Sequence, residues 1–418
     1  MEMKIRNAEI LCVGTEILIG DIVNTNAAYI STKLAELGIS QYYQAAVGDN
    51  PKRLADAING ALERCDLLIM SGGLGPTCDD LTKETAAECM GRKLYLHEES
   101  LERMKERFCF MGKTMTDNNI KQAMMPEGAV ILPNNAGTAP GCAIEDHERG
   151  KIIIMLPGVP FEMKEMFTDA VIPYLSAYTE NVFVSKNLCI FGMGESECES
   201  HLRELMERSV NPTVAPYCGD GEVRLRVTAR GRSEAECGEA CDKLIEEIMK
   251  TPVGKFVYGI DTTLAEAVVA LYKEKGLTLA TAESCTGGLI AGRITSVSGS
   301  SSVLGYGAVT YWEEAKCRMV AVNPRTIEDY GVVSPQTAEE MADGIRRFSG
   351  ADVGVAVTGF AGPTGGTEQY PVGTVFMGIS SRNGIRHVHL RLKGDRDRVR
   401  TLTVTNALSQ LLAEAKSI

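Results

Sequence analysis

The most restrictive feature of this chain is a rhythm: short apolar runs alternate with amphipathic stretches along most of its length. That alternation is the mark of βαβα units wound about a mostly parallel sheet, so the expected fold class is α/β. In the first third, Glu9–Val13, Gln41–Val47 and Asp66–Met70 read as strands. Asn26–Leu37 and Pro51–Arg64 read as the helices between them. Ala27, Ile30, Leu34 and Leu37 share one face of the first, and Gly38 is placed to stop it. Helices are expected at Leu81–Met90 and Glu98–Met111. Ile152–Leu156 is nearly all apolar, as a strand buried on both faces should be.

The rhythm changes near Val171. From Asn181 to Gly231, strands at Asn187–Phe191 and Glu222–Ala229 surround a helix at Ser196–Arg208, and a helix at Ser233–Lys250 follows. This is the pattern of a small α+β module. Thr251-Pro-Val-Gly and Tyr258-Gly-Ile-Asp261 read as a linker and a helix start. The α/β rhythm then returns, with helix Thr263–Lys275 and strands Leu277–Ala282 and Gly305–Tyr311. Ser334-Pro335 fits an N-cap with proline at the first helical position, opening a helix that ends near Gly350. Strands Asp352–Thr358 and Val372–Ile379 and a helix Asp395–Lys416 complete the series. Three domains are expected, spanning 1–170, 171–255 and 256–418, the outer two being three-layer α/β.

With 418 residues, two or three domains is the natural count. The net charge of −12 argues against nonspecific binding to DNA or membrane as the main task. No run approaches the ~20 apolar residues of a membrane span. Ile10–Val13 is too brief to be the core of a signal peptide. The thirteen cysteines are scattered, the closest spacing being Cys237 and Cys241, which suits reduced thiols of the cytoplasm. The five histidines hold no ligand spacing, so no structural zinc is expected.

Chemistry is first suggested at Glu283-Ser284-Cys285-Thr286-Gly287-Gly288, between a buried strand and a helical stretch, Leu289–Ser296. A serine there is presented at the carboxyl end of a strand, where open α/β sheets place ligands. The first N–H groups of the new helix are expected to form an oxyanion hole, and the glycines to let a substrate approach closely. Serine needs a base. No Gly-x-Ser-x-Gly elbow is present, and no histidine lies in a suitable loop. The better candidate is Lys316, which follows Tyr311 after a strand. A lysine base must be neutral; lowering its pKa from ~10.4 to ~7 needs ~4–5 kcal/mol of desolvation or like-charge repulsion. A third piece, Thr358-Gly359-Phe360-Ala-Gly362-Pro-Thr-Gly365-Gly-Thr367, can wrap a phosphate in backbone N–H groups. Each piece alone has a plainer role. Ser284 or Thr286 could cap a helix, Cys285 could be a core residue or the nucleophile, Lys316 could be solvated and Tyr311 buried. Their coincidence at strand ends favours a site.

The opening third holds a second constellation. Ser71-Gly72-Gly73-Leu74-Gly75-Pro76-Thr77 lies between a strand and a helix and suits a phosphate. Asp79 and Asp80 follow at once, and Glu16, Asp21 and Asp49 lie in other strand-end loops. Carboxylates beside a phosphate nest suggest Mg²⁺ or a similar hard cation, with Asp79, Asp80 and Glu16 as ligands. The plainer alternative makes Asp79 an N-cap and Asp80 a first-turn acid. Asn134–Gly141 and Leu156–Met163 add two more loops.

These motifs together resemble the CinA family of competence/damage-inducible proteins. The likeness rests on Glu283–Gly288, Tyr311 with Lys316, Gly331-Val-Val-Ser334, Thr358–Thr367 and Pro371-Val-Gly-Thr374. It identifies residues 258–415 with the nicotinamide-nucleotide amidohydrolase (PncC-type) domain, and implies hydrolysis of the carboxamide of nicotinamide mononucleotide to nicotinate mononucleotide and ammonia. By the same resemblance Ser284 is the nucleophile and Lys316 and Tyr311 handle its proton. Cys285, Thr286, Gly287, Gly288, Thr358, Gly359, Gly362 and Gly365 would bind substrate, with no cofactor. Phe360 and Tyr370 depart from the family pattern, where isoleucine and lysine are usual. The N-terminal third resembles the family's molybdopterin-binding-like domain, for which a metal-dependent ADP-ribose pyrophosphatase activity is implied. Asp80 and Asp49 would be catalytic there, and Gly72, Gly73, Gly75 and Thr77 would bind substrate. The middle resembles a KH-like module, but Gly192-Met-Gly194 and Gly219-Asp-Gly221 lack the Gly-x-x-Gly spacing of RNA binders. The resemblance implies a homodimer that recycles pyridine nucleotides; the cysteine pattern adds a cytoplasmic location, and the acidic balance and the lack of a long apolar run give no nucleic acid or membrane partner. The alternatives are a molybdopterin-handling enzyme with an accessory amidase, or a non-catalytic partner in DNA uptake or recombination.

Overall fold

The computed structural model describes residues 4–178, 182–219 and 221–418. Met1 to Met3, residues 179–181 within the expected middle module, and Asp220 in Gly219-Asp-Gly221 lie outside the described residues. The chain divides into two compact units. One runs to Ser185 and takes in Ala229–Ala240; the other comprises Lys186–Thr228 and Cys241–Ile418.

The first unit is built on a six-stranded sheet. Its order is Ser40–Val47, Asn7–Val13, Leu67–Ser71, Lys151–Leu156, Gly141–Asp146, Val130–Leu132. The first four strands are parallel; Gly141–Asp146 pairs antiparallel with Lys151–Leu156, and Val130–Leu132 antiparallel with Gly141–Asp146. Alternate residues of the central strands serve opposite cores. Ile10, Leu67, Ile69, Ile152 and Ile154 pack with Ile30 and Leu34 of helix Thr25–Glu36 and Met163 of helix Pro160–Met166. Leu11, Leu68, Met70, Ile153 and Met155 pack with Leu54 and Ile58 of helix Pro51–Arg64 and Ala86 of helix Thr82–Cys89. This two-sided burial explains why these strands read as apolar runs. Both leading helices start on an asparagine cap, Asn24 accepting from Ala27 N and Asn50 from Arg53 N.

The C-terminal part of the second unit has a five-stranded sheet ordered Leu304–Val309, Leu279–Glu283, Val353–Gly359, Thr374–Ser381, Gly384–Arg391. Helices Leu264–Lys275 and Arg396–Ser417 cover one face, where Val268, Tyr272, Leu408 and Leu411 meet Leu279, Val355 and Val357. Helix Pro335–Ser349 covers the other with Met341 and Ile345 against Ala280, Ala282 and Ala356. Its cap is as expected: Ser334 accepts from Thr337 N, and Gly350 closes the helix in the left-handed region.

Several expectations are corrected. Both large sheets are mixed: Gly141–Asp146 pairs antiparallel with Lys151–Leu156, and Thr374–Ser381, although fully buried, pairs antiparallel with Val353–Gly359. Gly384–Arg391 alternates exposed and half-buried residues and sits at the edge of its sheet. Val257–Ile260 is a strand, not a linker and helix start; it pairs antiparallel with Val182–Phe191 in a four-stranded sheet that also holds Thr213–Gly219 and Glu222–Gly231. The strand expected to reach Tyr311 ends at Val309. No helix among the described residues is long and apolar enough to cross a membrane.

Candidate active sites

In the C-terminal domain, strand Leu279–Glu283 lies between parallel neighbours, pairing Glu283 with Val309 on one side and Val357 on the other. Three loops therefore leave the sheet at the same edge: the Ser284 turn, Thr310–Trp312 and the glycine loop after Gly359. The turn needs its glycines, since Gly287 and Gly288 both have positive φ, 64° and 96°. The oxyanion hole expected from the helix that follows is already occupied. Glu283, 1% exposed, accepts from Thr286 Oγ1 at 2.7 Å, Gly288 N at 3.0 Å, Ile290 N at 3.0 Å and Ala291 N at 2.8 Å. The protein's own carboxylate thus satisfies the amides that open helix Leu289–Thr295. The Thr286 amide, in the turn itself, has no acceptor among the described residues.

Lys316, on helix Glu313–Val320, is completely buried. Its Nζ lies 3.1 Å from Ser284 Oγ, donates to Thr310 O at 2.7 Å and contacts Tyr311 O at 3.4 Å. Burial lowers its pKa to about 8 against weaker opposing pulls from Cys285, Glu313 and Cys317. A neutral amine has two N–H bonds for the two carbonyls, and its lone pair is then left for the serine hydroxyl. Cys285 is also buried, and burial pushes its thiol up to about 11, so it is protonated at neutral pH and packs in the core.

Tyr311 is brought to the site through its carbonyl. Its hydroxyl, on a 54%-exposed side chain, accepts from Arg396 Nη2 at 3.1 Å and has no contact with Ser284 or Lys316. Thr358 is buried, its hydroxyl donating to Val332 O at 2.8 Å, which ties Gly331–Ser334 to the sheet edge. Gly359 ends the strand; Gly362 and Gly365 take positive φ in the loop, and Gly362 O accepts from Arg396 Nη1 at 2.8 Å. Phe360 and Tyr370 share one apolar cluster with Phe376, and the Tyr370 ring also meets His389 edge-on. Glu283, Arg396 and Arg400 were not singled out from the sequence. A signal for the arginines existed: Asp395-Arg-Asp-Arg-Val-Arg400 puts cations at the start of helix Arg396–Ser417, where the helix dipole disfavours them.

In the N-terminal unit, Glu16, Asp49, Gly72, Gly73, Gly75, Thr77, Asp79 and Asp80 all line one cavity of about 610 Å³. Gly72 has φ of 106°, and a side chain there would strike the carbonyl of Val13. Asp49 Oδ2 accepts from Thr15 N at 3.0 Å and Thr15 Oγ1 at 2.8 Å. Asp80 Oδ2 accepts from Thr77 N at 2.9 Å and Thr77 Oγ1 at 2.5 Å. Neither Asp79 nor Asp80 caps the following helix, which starts at Thr82 behind Leu81. Thr15 and Asn26 are further residues the sequence did not mark. Asn26 Nδ2 donates to Ser71 Oγ at 2.9 Å and Gly158 O at 2.8 Å, tying two of the cavity's loops together.

Among the described residues, no three of His, Cys, Asp and Glu converge to hold an ion, so Glu16, Asp79 and Asp80 do not form a cage. Asp49 and Asp80 each keep one oxygen unused by protein donors. That donor set fits a hydrated hard cation shared with a substrate's phosphates.

Three family profiles match the chain in succession: "Probable molybdopterin binding domain" over residues 9–177, "Damage-inducible protein CinA KH domain" over 185–259, and "CinA C-terminal domain" over 261–415. A protein of Acetivibrio thermocellus named "Putative competence-damage inducible protein" is 50% identical over 406 residues, covering 97% of this chain and 98% of its own. A "CinA-like protein" of Dictyoglomus turgidum is 48% identical over 404 residues, covering 96% and 98%. Among solved structures, a competence/damage inducible protein from Agrobacterium tumefaciens is 45% identical, covering 36% of this chain and 92% of its own, with a TM-score of 0.35. With near-complete coverage at this identity, and with all three profiles in order, the chain belongs to the CinA family.

Proposed function

We propose that the C-terminal domain hydrolyses the carboxamide of nicotinamide mononucleotide to nicotinate mononucleotide and ammonia. The observation that carries this is the buried Lys316 amine, 3.1 Å from Ser284 Oγ, with its pKa lowered to about 8. Ser284 Oγ attacks the amide carbon as Lys316 takes the hydroxyl proton. The Thr286 amide is the donor available to the oxyanion. Collapse of the tetrahedral intermediate breaks the C–N bond, and Lys316 returns the proton to the leaving nitrogen, releasing ammonia and leaving an acyl-serine ester. Water, deprotonated by Lys316, cleaves the ester and restores both residues. The resemblance to the amidohydrolase domain supplies the substrate; Ser284 and Lys316 supply the reaction type. Tyr311 contributes a carbonyl to Lys316 and a hydroxyl to Arg396. Ammonia release from nicotinamide mononucleotide, lost in Ser284→Ala, tests this; an unchanged rate in that variant would remove Ser284 as nucleophile.

A second activity, metal-dependent cleavage of ADP-ribose to AMP and ribose 5-phosphate, is proposed for the N-terminal cavity. It is favoured by two acids, Asp49 and Asp80, each oriented by a threonine beside a glycine turn. A bound Mg²⁺ would offset pyrophosphate charge, held by the free oxygens of Asp49 and Asp80. The Gly72–Thr77 backbone would position the phosphates. Release of AMP from ADP-ribose, with and without Mg²⁺, tests it.

A further inference from the structure

The first unit holds another cavity, of about 570 Å³, between helix Glu98–Phe110 and the loop from Pro133 to Pro140. Neither Asp49 nor Asp80 lines it, and among the described residues Thr138 alone lines both this cavity and the one proposed for ADP-ribose. Arg103 and Arg107 both line it and begin one helical turn apart, so they rise from the same helix face. Arg103 Nη2 donates to Asn135 Oδ1 at 3.0 Å, and Arg107 Nη2 to Ala136 O at 2.6 Å. Both acceptors are neutral. Arg107 Nε is buried and has no acceptor among the described residues. Glu99 and Glu106 also line the cavity, and Glu99 stands one turn before Arg103, yet neither arginine forms an ion pair among the described residues. His97 adds a further polar group. Its Nδ1 accepts from Ser100 N at 3.2 Å, so the neutral ring carries its proton on Nε2 as a donor.

The rest of the lining includes Met104, Ile131 and Phe110. Phe110 is 86% exposed, a large ring left open at the end of its helix. Bracing of the loop accounts for the two Nη2 bonds. It does not account for two adjacent cations without a counter-charge, for an unpaired buried Nε, or for an open aromatic ring beside them. We infer that this cavity is a second ligand site of the first unit, and that it takes a small aromatic phosphomonoester. Two guanidinium forks match the oxygens and the charge of a phosphate dianion. Phe110 offers a face on which a flat ring can stack. The volume is ordinary for a site that holds a molecule of nucleotide size. The site needs neither Mg²⁺ nor Asp49 nor Asp80, so it stands apart from the pyrophosphatase proposed above.

The test uses the full chain without divalent metal, phenyl phosphate as the probe, and inorganic phosphate and phenol as its two halves. The chain has five histidines, so the His97 ring signal in a proton NMR spectrum is assignable by comparison with His97→Gln. At fixed pH and ionic strength, phenyl phosphate should shift that signal and saturate near about 1 mM or below, while the other histidines stay in place. Inorganic phosphate should bind about 10-fold more weakly, and phenol should leave His97 unmoved. Arg107→Gln should weaken binding of phenyl phosphate about 10-fold or more, and Arg107→Lys should recover only part of that loss. Phe110→Ala changes an exposed side chain and leaves the loop braced. It should weaken phenyl phosphate about 5- to 10-fold and leave inorganic phosphate unchanged, a split that loop bracing cannot produce. His97 unmoved at about 10 mM phenyl phosphate overturns the inference, as does equal affinity for the probe in the native chain, Arg107→Gln and Phe110→Ala. Equal affinity of the native chain for phenyl phosphate and inorganic phosphate overturns it as a site for an aromatic ester.

Discussion

Replacing Glu283 by glutamine probes the least expected part of the site. The carboxylate takes three donors on Oε2, from Thr286 Oγ1, Gly288 N and Ile290 N, and one on Oε1, from Ala291 N. Glutamine keeps the shape but has a single acceptor atom. Its best placement leaves the carbonyl with the three donors and sets the NH₂ against Ala291 N–H, donor facing donor. A lost charge-assisted bond and an unsatisfied buried donor together cost about 2–4 kcal/mol. Local opening at the helix start becomes easier by that amount, so exchange of the Ala291 amide should accelerate about 30- to 700-fold. Gly288 and Ile290 should accelerate less. Because Ser284 is the next residue, a small displacement should also lower turnover, by up to about 100-fold. Hydrogen exchange resolved by residue, run beside the ammonia assay, measures both. Ala291 exchange within threefold of the native rate, in a folded variant, would show that Glu283 does not hold this turn. Uniform acceleration across the domain would refute the local origin of the effect.

Ser284→Ala should lower ammonia release by at least about 10⁴-fold, with the thermal transition retained, as measured by steady-state kinetics and calorimetry. The kcat/KM of the amidase should rise with pH, reach half its maximum near pH 8 and level off about one unit higher, since only the neutral Lys316 amine accepts the serine proton. A flat profile from pH 6 to 9 would argue against Lys316 as base. The same lowered pKa has a stability consequence. From pH 8 to about 10.5 the unfolded chain holds a proton on Lys316 that the native state has released, so the native protein gains relative to Lys316→Met as pH rises, which paired melting curves would show. Asp80→Asn should reduce AMP release from ADP-ribose by about 100-fold or more while ammonia release is maintained; parallel loss of both would point to misfolding.

Fold and site were legible to different depths. Pro51–Arg64 and the Ser334 cap are local signals, a proline at N1 and a side-chain cap, and they stand where expected. The buried central strands announce themselves by unbroken apolar runs. Gly384–Arg391 does not, because an edge strand half open to solvent mixes Arg386, His387 and His389 with Ile385 and Val388. Ser284 and Lys316 could be paired because both follow adjacent parallel strands, which fixes their loops on one edge. The occupation of the helix amides by Glu283 could not be read, since a glutamate ending a strand looks the same whether it faces solvent or folds back. Arg396 and Arg400 depend on a helix that crosses the sheet from far along the sequence, and spacing carries no record of that meeting.

The order in which the C-terminal site is assembled follows from its layout. Ser284 and Lys316 are 32 residues apart and follow neighbouring strands. Arg400 lies 114 residues beyond Thr286, the residue it touches. During synthesis the nucleophile and its base leave the ribosome well before the arginines do. A nascent chain halted at Lys393 would carry Ser284 and Lys316 without the helix that completes their domain's core. Docking of helix Arg396–Ser417 is then the event that completes the core beside the Ser284 turn and brings Arg400 onto Thr286 O.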